Sequence, residues 1–165
     1  MQQKPFPKQS QHRATRPYEI VHSGVCGPMQ VESKDGSRFM LTFTDDYSRY
    51  STVYFIKSKD EVLSKFMEYV NSVEKLTGRH ITKLNILSEE DVKVLRSDNG
   101  GGYTSNSFAK FCTEKRISHQ FTVPYCPKQN GVAERMNRTI EGARSMLYHA
   151  KLPLEFWAEA CSTAV

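Results

Sequence analysis

No stretch of this chain approaches the roughly 20 consecutive apolar residues that a bilayer-spanning helix requires, and no signal peptide opens it. Neither a membrane span nor a membrane partner is expected. Cysteine is sparse and scattered: Cys26, Cys112, Cys126 and Cys161 form no Cys-x-x-Cys pair and have no histidine at zinc spacing. They read as reduced, intracellular thiols with packing roles. Acidic residues are in the minority, 18 against 23 Lys and Arg. The net charge of +5 favours a polyanionic partner without demonstrating one, since many globular domains carry as much. At 165 residues, 38% hydrophobic and 25% charged, the chain suits one domain with an adequate core.

The first 16 residues are rich in Lys, Gln and Pro and too poor in apolar side chains to order themselves, so 1–16 reads as a basic linker. Its Lys4, Lys8, Arg13 and Arg16 suit DNA phosphates or, more simply, water. Three strands are predicted next, over 18–23, 39–44 and 50–56, joined by short turns into an antiparallel meander. Gly24 is expected to end or break the first of them. Asp45 and Asp46 invite a metal, but a turn in which one Asp bonds local backbone and Arg49 explains the pair more simply. Ser58 to Glu61 has the form of a capping box and starts a helix with Val62, Phe66, Val70, Val73 and Leu76 on one stripe and Gly78 as its stop. The stretch 81–91, which ends in the acidic cluster Glu89-Glu90-Asp91, reads as an insertion whose form the sequence leaves open and whose charge argues against contact with a polyanion. A short helix is predicted over 107–116, with Phe108, Phe111 and Cys112 inward, and a strand over 118–123.

The chemistry gathers in the second half. Val92, Val94 and Leu95 read as a brief buried strand that the Asn-Gly-Gly-Gly after Asp98 stops, so Asp98 sits at a strand's C-terminal edge, where open α/β sheets bind ligands. Glu134 follows a loop predicted over 124–130 and heads an amphipathic helix. Val132, Met136, Ile140, Ala143, Leu147 and Ala150 face the core on that helix, and Glu134, Arg138 and Glu141 face away. A further helix, opened by Pro153 and containing Phe156 and Trp157, runs to the last residue. Two carboxylates from separate elements are what an oxygen-ligated cation such as Mg²⁺ requires.

The stretches LRSDNGGGYTS and PYCPKQNGVAERMNRTI, with YEIVHSGVCGPM and FTDDYSRY upstream, together resemble the catalytic core of a copia-type retrotransposon integrase. That core is part of a Gag-Pol polyprotein and belongs to the retroviral integrase superfamily. The resemblance covers nearly everything after Arg16. It implies an α/β, RNase H-like fold: a five-stranded mixed sheet flanked by helices, three strands antiparallel and two parallel, with positions 24, 98 and 134 converging at one rim. Residues 17–165 would be the catalytic core, truncated at its C-terminal end; the His/Cys zinc module that precedes the core in relatives has no ligands here. In the family's Asp, Asp, Glu triad the second Asp and the Glu are separated by 35 residues, as are Asp98 and Glu134. The resemblance therefore implies that Asp98 and Glu134 are catalytic and bind metal, in a two-ion site for Mg²⁺ or Mn²⁺. It also implies DNA, both element ends and target, as partner; a homo-oligomer in the full-length protein; and a place in the nucleus, or in the cytoplasm within virus-like particles.

Two departures qualify this. Where the family has its first catalytic Asp, this chain has Gly24, and where relatives commonly have Glu it has Gly102. Glycine supplies no side-chain oxygen, so the two-ion site is expected to be weakened. The function readings are then a polynucleotidyl transferase performing 3′-end processing and strand transfer, impaired by Gly24, or a catalytically dead descendant that only binds nucleic acid. A ribonuclease H-type nuclease ranks third, because the carboxylate spacing is that of integrases.

Taken singly, Asp98 would be a turn residue and Glu134 half of an i, i+4 pair with Arg138, worth about 0.3 kcal/mol. The surrounding motifs favour the ligand roles. Lys128, Arg135 and Arg138 suit DNA phosphates as well as they suit water, and Gln129 and Asn130 suit bases or sugars if they do more than shape the loop. Tyr103 and Tyr125 read more simply as buried aromatics than as stacking platforms.

Overall fold

The computed structural model describes residues 13–77, 93–122 and 127–164, the side chains of 127–134, 136, 137 and 140 excepted. Its centre is β1 (Ile20–Cys26), which pairs antiparallel with β2 (Phe39–Asp45), itself antiparallel to β3 (Ser51–Ile56). On the other side of β1 lie β4 (Val94–Ser97) and then β5 (Ser118–Phe121), both running parallel to it. The order is β3-β2-β1-β4-β5, a five-stranded mixed sheet of three antiparallel strands and two parallel ones.

Gly24 does not break β1. The ladder with β2 continues through it, pairing Gly24 with Thr42, Val25 with Leu41 and Cys26 with Met40. Glycine weakens a strand only through its backbone entropy, and the hydrogen-bonded partner strand outweighs that cost.

Strand alternation gives the sheet two packed faces. On the first, Val21, Leu41, Phe43, Ile56 and Leu95 meet α1 (Val62–Leu76) and α2 (Asn106–Glu114). The capping box is present ahead of α1: the Ser58 side chain accepts from the Asp60 amide at 3.1 Å, and Glu61 Oε1 accepts the Ser58 amide at 3.0 Å. It caps a single 3-10 turn, Lys59–Glu61, from which α1 continues. Val62, Phe66, Tyr69, Val70 and Val73 of α1 are buried, whereas Leu76, expected on the same stripe, is 77% exposed in the last turn. Gly78, the predicted stop, and the 81–91 insertion lie outside the described residues. The aromatic centre of this face is Phe43, stacked on Tyr69 at 4.7 Å and tilted against Phe66 at 5.5 Å. Phe108, Phe111 and Cys112 face inward from α2.

The second face carries Met40, Cys26, Val53 and Phe55 under α3 (Pro127–His149) and α4 (Trp157–Ala164). The loop predicted over 124–130 ends earlier than expected: Pro127 to Asn130 already belong to α3. Proline is compatible with a helix's first turn, where its missing N–H has no intrahelical partner to lose, and the Lys and Gln that follow are good helix formers. Ala143 and Leu147 of α3 are buried, Arg138 and Glu141 are exposed, and Ala150 lies just past the helix and is exposed as well. Trp157 closes this face, its ring edge-on to Phe55 at 5.5 Å and its indole N–H donated to Val31 O at 3.0 Å. Among the described residues no helix is long and apolar enough to cross a membrane.

Candidate active site at the C-terminal edge of the sheet

Asp98 follows the last residue of β4 directly and is exposed. Its Oδ1 accepts the Gly100 amide at 2.9 Å, a local turn that fixes the carboxylate just beyond the strand. The parallel ladder pairs Ile20 with Val94, Val21 with Leu95 and His22 with Arg96; carried on by two residues, it brings Gly24 level with Asp98. Val21 and Leu95 both pack into the first face, so alternation puts Gly24 and Arg96 on the second, with Asp98 in the turn just past the end of β4. That is the face crossed by α3, the helix that contains Glu134. The Glu134 side chain lies outside the described residues.

Two hydrogen-bonded groups stand at this edge, and a third lies toward the opposite end of β1, where the Asp46 amide is bonded to Ile20 O. The Ser97 hydroxyl lies 3.0 Å from Asp98 O and 2.8 Å from His119 Nε2. A hydroxyl has one proton to give; donated to the carbonyl, it leaves His119 Nε2–H as donor to Ser97. Burial holds His119 below the usual histidine value, in keeping with that neutral ring. Second, Ser23 Oγ and Tyr103 Oη are 2.6 Å apart and buried, and burial pushes the phenol of Tyr103 well above its ordinary range. Tyr103 is thus a core aromatic; Tyr125 lies outside the described residues.

The third group is His22, Asp46 and Arg49. His22 Nε2 is 2.9 Å and Arg49 Nη1 3.2 Å from Asp46 Oδ1, while Asp46 Oδ2 accepts the Ala14 amide at 2.8 Å. Burial, helped by the nearby Arg96 and Arg49 guanidiniums, lowers His22 more than Asp46 raises it, so the ring is neutral and donates Nε2–H. Asp45 accepts the Ser48 amide and hydroxyl and the Tyr18 amide. The Asp45 and Asp46 pair is therefore a turn, as the simpler reading of the sequence had it, with Asp45 bonding the local backbone and Asp46 bonding Arg49; the clamp on Ala14 and Tyr18 and the tie to His22 are unforeseen. No local pattern signals that tie, because the partners are 24 residues apart.

Of the remaining residues singled out in the sequence, Arg135 and Arg138 are exposed on α3, and Lys128, Gln129 and Asn130 occupy its first turn with side chains outside the described residues. Among the described residues, no group of three or more His, Cys, Asp or Glu is arranged to hold a metal ion. Gly102 is packed tightly: a Cβ there would lie 2.8 Å from Lys59 O and 2.7 Å from Val62 Cγ2, so a glutamate at this position requires the backbone to move.

Residues 14–127 match the family model described as the integrase core domain. The chain is 48% identical over 156 residues to the retrovirus-related Pol polyprotein from transposon TNT 1-94 of Nicotiana tabacum, covering 94% of this chain and 11% of that protein. It is 32% identical over 162 residues to the corresponding polyprotein from transposon RE1 of Arabidopsis thaliana, 98% of this chain and 10% of that one. The chain thus spans about a tenth of the curated relatives it matches. Among solved structures it is similar to a chain of the simian T-cell lymphotropic virus intasome in complex with the PP2A regulatory subunit B56 gamma, with TM-score 0.68, 20% identity and coverage of 98% of this chain and 52% of that one. It is also similar to the HTLV-2 integrase catalytic core domain in complex with magnesium, with TM-score 0.61, 21% identity and coverage of 92% and 85%. The five-stranded mixed sheet is the RNase H-like fold of those cores. With the family model matching most of its length, this chain belongs to the integrase core domain family and is homologous to plant retrotransposon Pol polyproteins.

Proposed function

We propose that the chain is the core segment of a retrotransposon integrase, built for metal-dependent 3′-end processing and strand transfer of DNA and impaired in both by Gly24. The observation that supports this reading is the parallel register of β1 and β4, Ile20 to His22 against Val94 to Arg96, which extended by two residues brings Gly24 level with Asp98 at the strand ends where α/β sheets bind ligands. A carboxylate at position 24 would stand beside that of Asp98; glycine leaves Asp98 and Glu134 to hold a cation between them. The residues present fit one weakly held ion and not the pair that the family uses. When bound, Mg²⁺ or Mn²⁺ supplies the positive charge that activates the attacking oxygen and stabilises the leaving one. The magnesium complex of the similar HTLV-2 core supports that class of cation, its trimeric and dimeric forms support a homo-oligomer in the full-length protein, and the intasome neighbour supports DNA as partner.

The chain's own contribution is to place Asp98 and Glu134 and to engage phosphates with Arg135, Arg138 and Lys128, while Gln129 and Asn130 meet bases or sugars. A second reading, a core that binds DNA without acting on it, is favoured by the same glycine. Strand-transfer assays of the integrase with its flanking segments separate the two. Gly24→Asp should gain a factor of about 10³ in rate, the scale on which a lost metal ligand is felt. Activity in that variant should vanish with Asp98→Asn or Glu134→Gln; activity that survives either change overturns the assignment.

A further inference from the structure

We infer that Tyr103 is a positioning residue, whose buried hydroxyl, bonded to Ser23, ties the turn after Asp98 to the strand carrying position 24 and fixes how those two positions stand relative to each other. The β1–β4 ladder has His22 and Arg96 as its last pair, so no backbone pairing joins residues 23 and 24 to residues 97 and 98. Where that pairing ends, a chain of shorter links begins. Asp98 Oδ1 accepts the Gly100 amide at 2.9 Å, Gly100 O accepts the Tyr103 amide at 2.9 Å, and the Tyr103 hydroxyl meets Ser23 Oγ at 2.6 Å. The path runs from the Asp98 carboxylate to the residue beside position 24, closing a loop between segments 80 residues apart.

Both hydroxyls are buried, Ser23 at 5% and Tyr103 at 2% exposure, so neither exchanges its partner for water without cost. The ring is held independently, edge-on to Phe108 at 5.6 Å and near His119 at 6.3 Å. The 3-10 turn Gly101–Tyr103 is seated on the start of α1, where Gly102 lies against Lys59 O and Val62 with no room for a side chain. Phenylalanine at 103 would keep that packing and remove only the link to β1.

The test has two arms, and the second rests on the metal reading proposed above. In the first, amide hydrogen exchange is measured in the chain as it stands, with Tyr103→Phe, Ser23→Ala and the double variant. Exchange at Gly24 and at residues 98–100 should quicken about fivefold, the scale of one net hydrogen bond, with the double variant no faster than either single one. Leu41 and Phe43 amides should not follow. Unchanged exchange at Gly24, or a rise shared equally by Leu41 and Phe43, overturns the inference. In the second arm, Mn²⁺ is titrated into Gly24→Asp with and without Tyr103→Phe, and affinity should fall about fivefold without the hydroxyl. Equal affinities overturn the positioning role. If Gly24→Asp binds no Mn²⁺, the metal reading fails, and the exchange arm alone decides the tether.

Discussion

His22 Nε2 and Asp46 Oδ1 lie 2.9 Å apart in the interior, and the carboxylate is also held by Arg49 and the Ala14 amide. The folded state keeps His22 neutral: burial lowers it from its ordinary 6.5, and burial lowers His119 in the same direction. The unfolded chain therefore binds more protons than the folded one as pH falls through 6.5, so stability declines on acidification. Burial alone would raise Asp46 above its ordinary 3.8, but the Ala14 amide, His22 and Arg49 outweigh it and lower it, which adds a second loss as pH falls below that value. The urea midpoint should accordingly drop between pH 7.5 and pH 5, and again in stronger acid. A midpoint that holds or rises between pH 7.5 and pH 5 would contradict the neutral, buried His22.

Trp157 is 2% exposed, packs on Phe55 and donates to Val31 O, thereby joining α4 to the segment that follows β1. Trp157→Ala should cost about 4 kcal/mol in denaturant unfolding, as large-to-small changes at buried aromatics do. Trp157→Phe should cost less, because it removes the N–H and part of the ring while leaving an aromatic against Phe55. Equal losses for the two variants would show that the ring contributes little.

Gly102→Ala should destabilise by about 1–3 kcal/mol, because its Cβ meets a backbone carbonyl and not merely a movable side chain. Thermal unfolding reads this directly. A neutral or stabilising result would mean that the turn and α1 separate easily.

Replacing Lys128, Arg135 and Arg138 together with Ala should flatten the dependence of DNA affinity on salt, by up to about 0.9 in log–log slope for each phosphate no longer neutralised. Filter binding over a salt series measures it. An unchanged slope would move the DNA surface elsewhere on the chain.

The parts of this fold that are legible in the sequence are those governed by local rules. The stripe Val62, Phe66, Val70, Val73 follows from helical period, the α1 start from the Ser58–Glu61 capping box, and the position of Asp98 from an apolar run stopped by glycines. Where tertiary pairing overrules local preference, the sequence misleads: Gly24 stays extended because β2 holds it. The start of α3 at Pro127 is a local signal read the other way, since a proline marks a loop or a helix's first turn equally well. Leu76 continues the apolar spacing, yet at the end of α1 it faces solvent. The Ser23–Tyr103 and His22–Asp46 links lie out of reach, since each joins residues 24 or more positions apart and depends on two strands already being aligned.

In the function proposed above, position 24 governs whether this edge of the sheet holds its cations, and cation binding tests that most directly. Calorimetric titration of Mg²⁺ into this chain and into Gly24→Asp compares the site with and without the added carboxylate. The prediction is weak binding in the parent and affinity tighter by at least about tenfold, or about 1.4 kcal/mol, in Gly24→Asp, with the gain abolished by Asp98→Asn. Equal affinities in parent and variant, or a gain that persists without the Asp98 carboxylate, would contradict the claim that positions 24 and 98 share a cation.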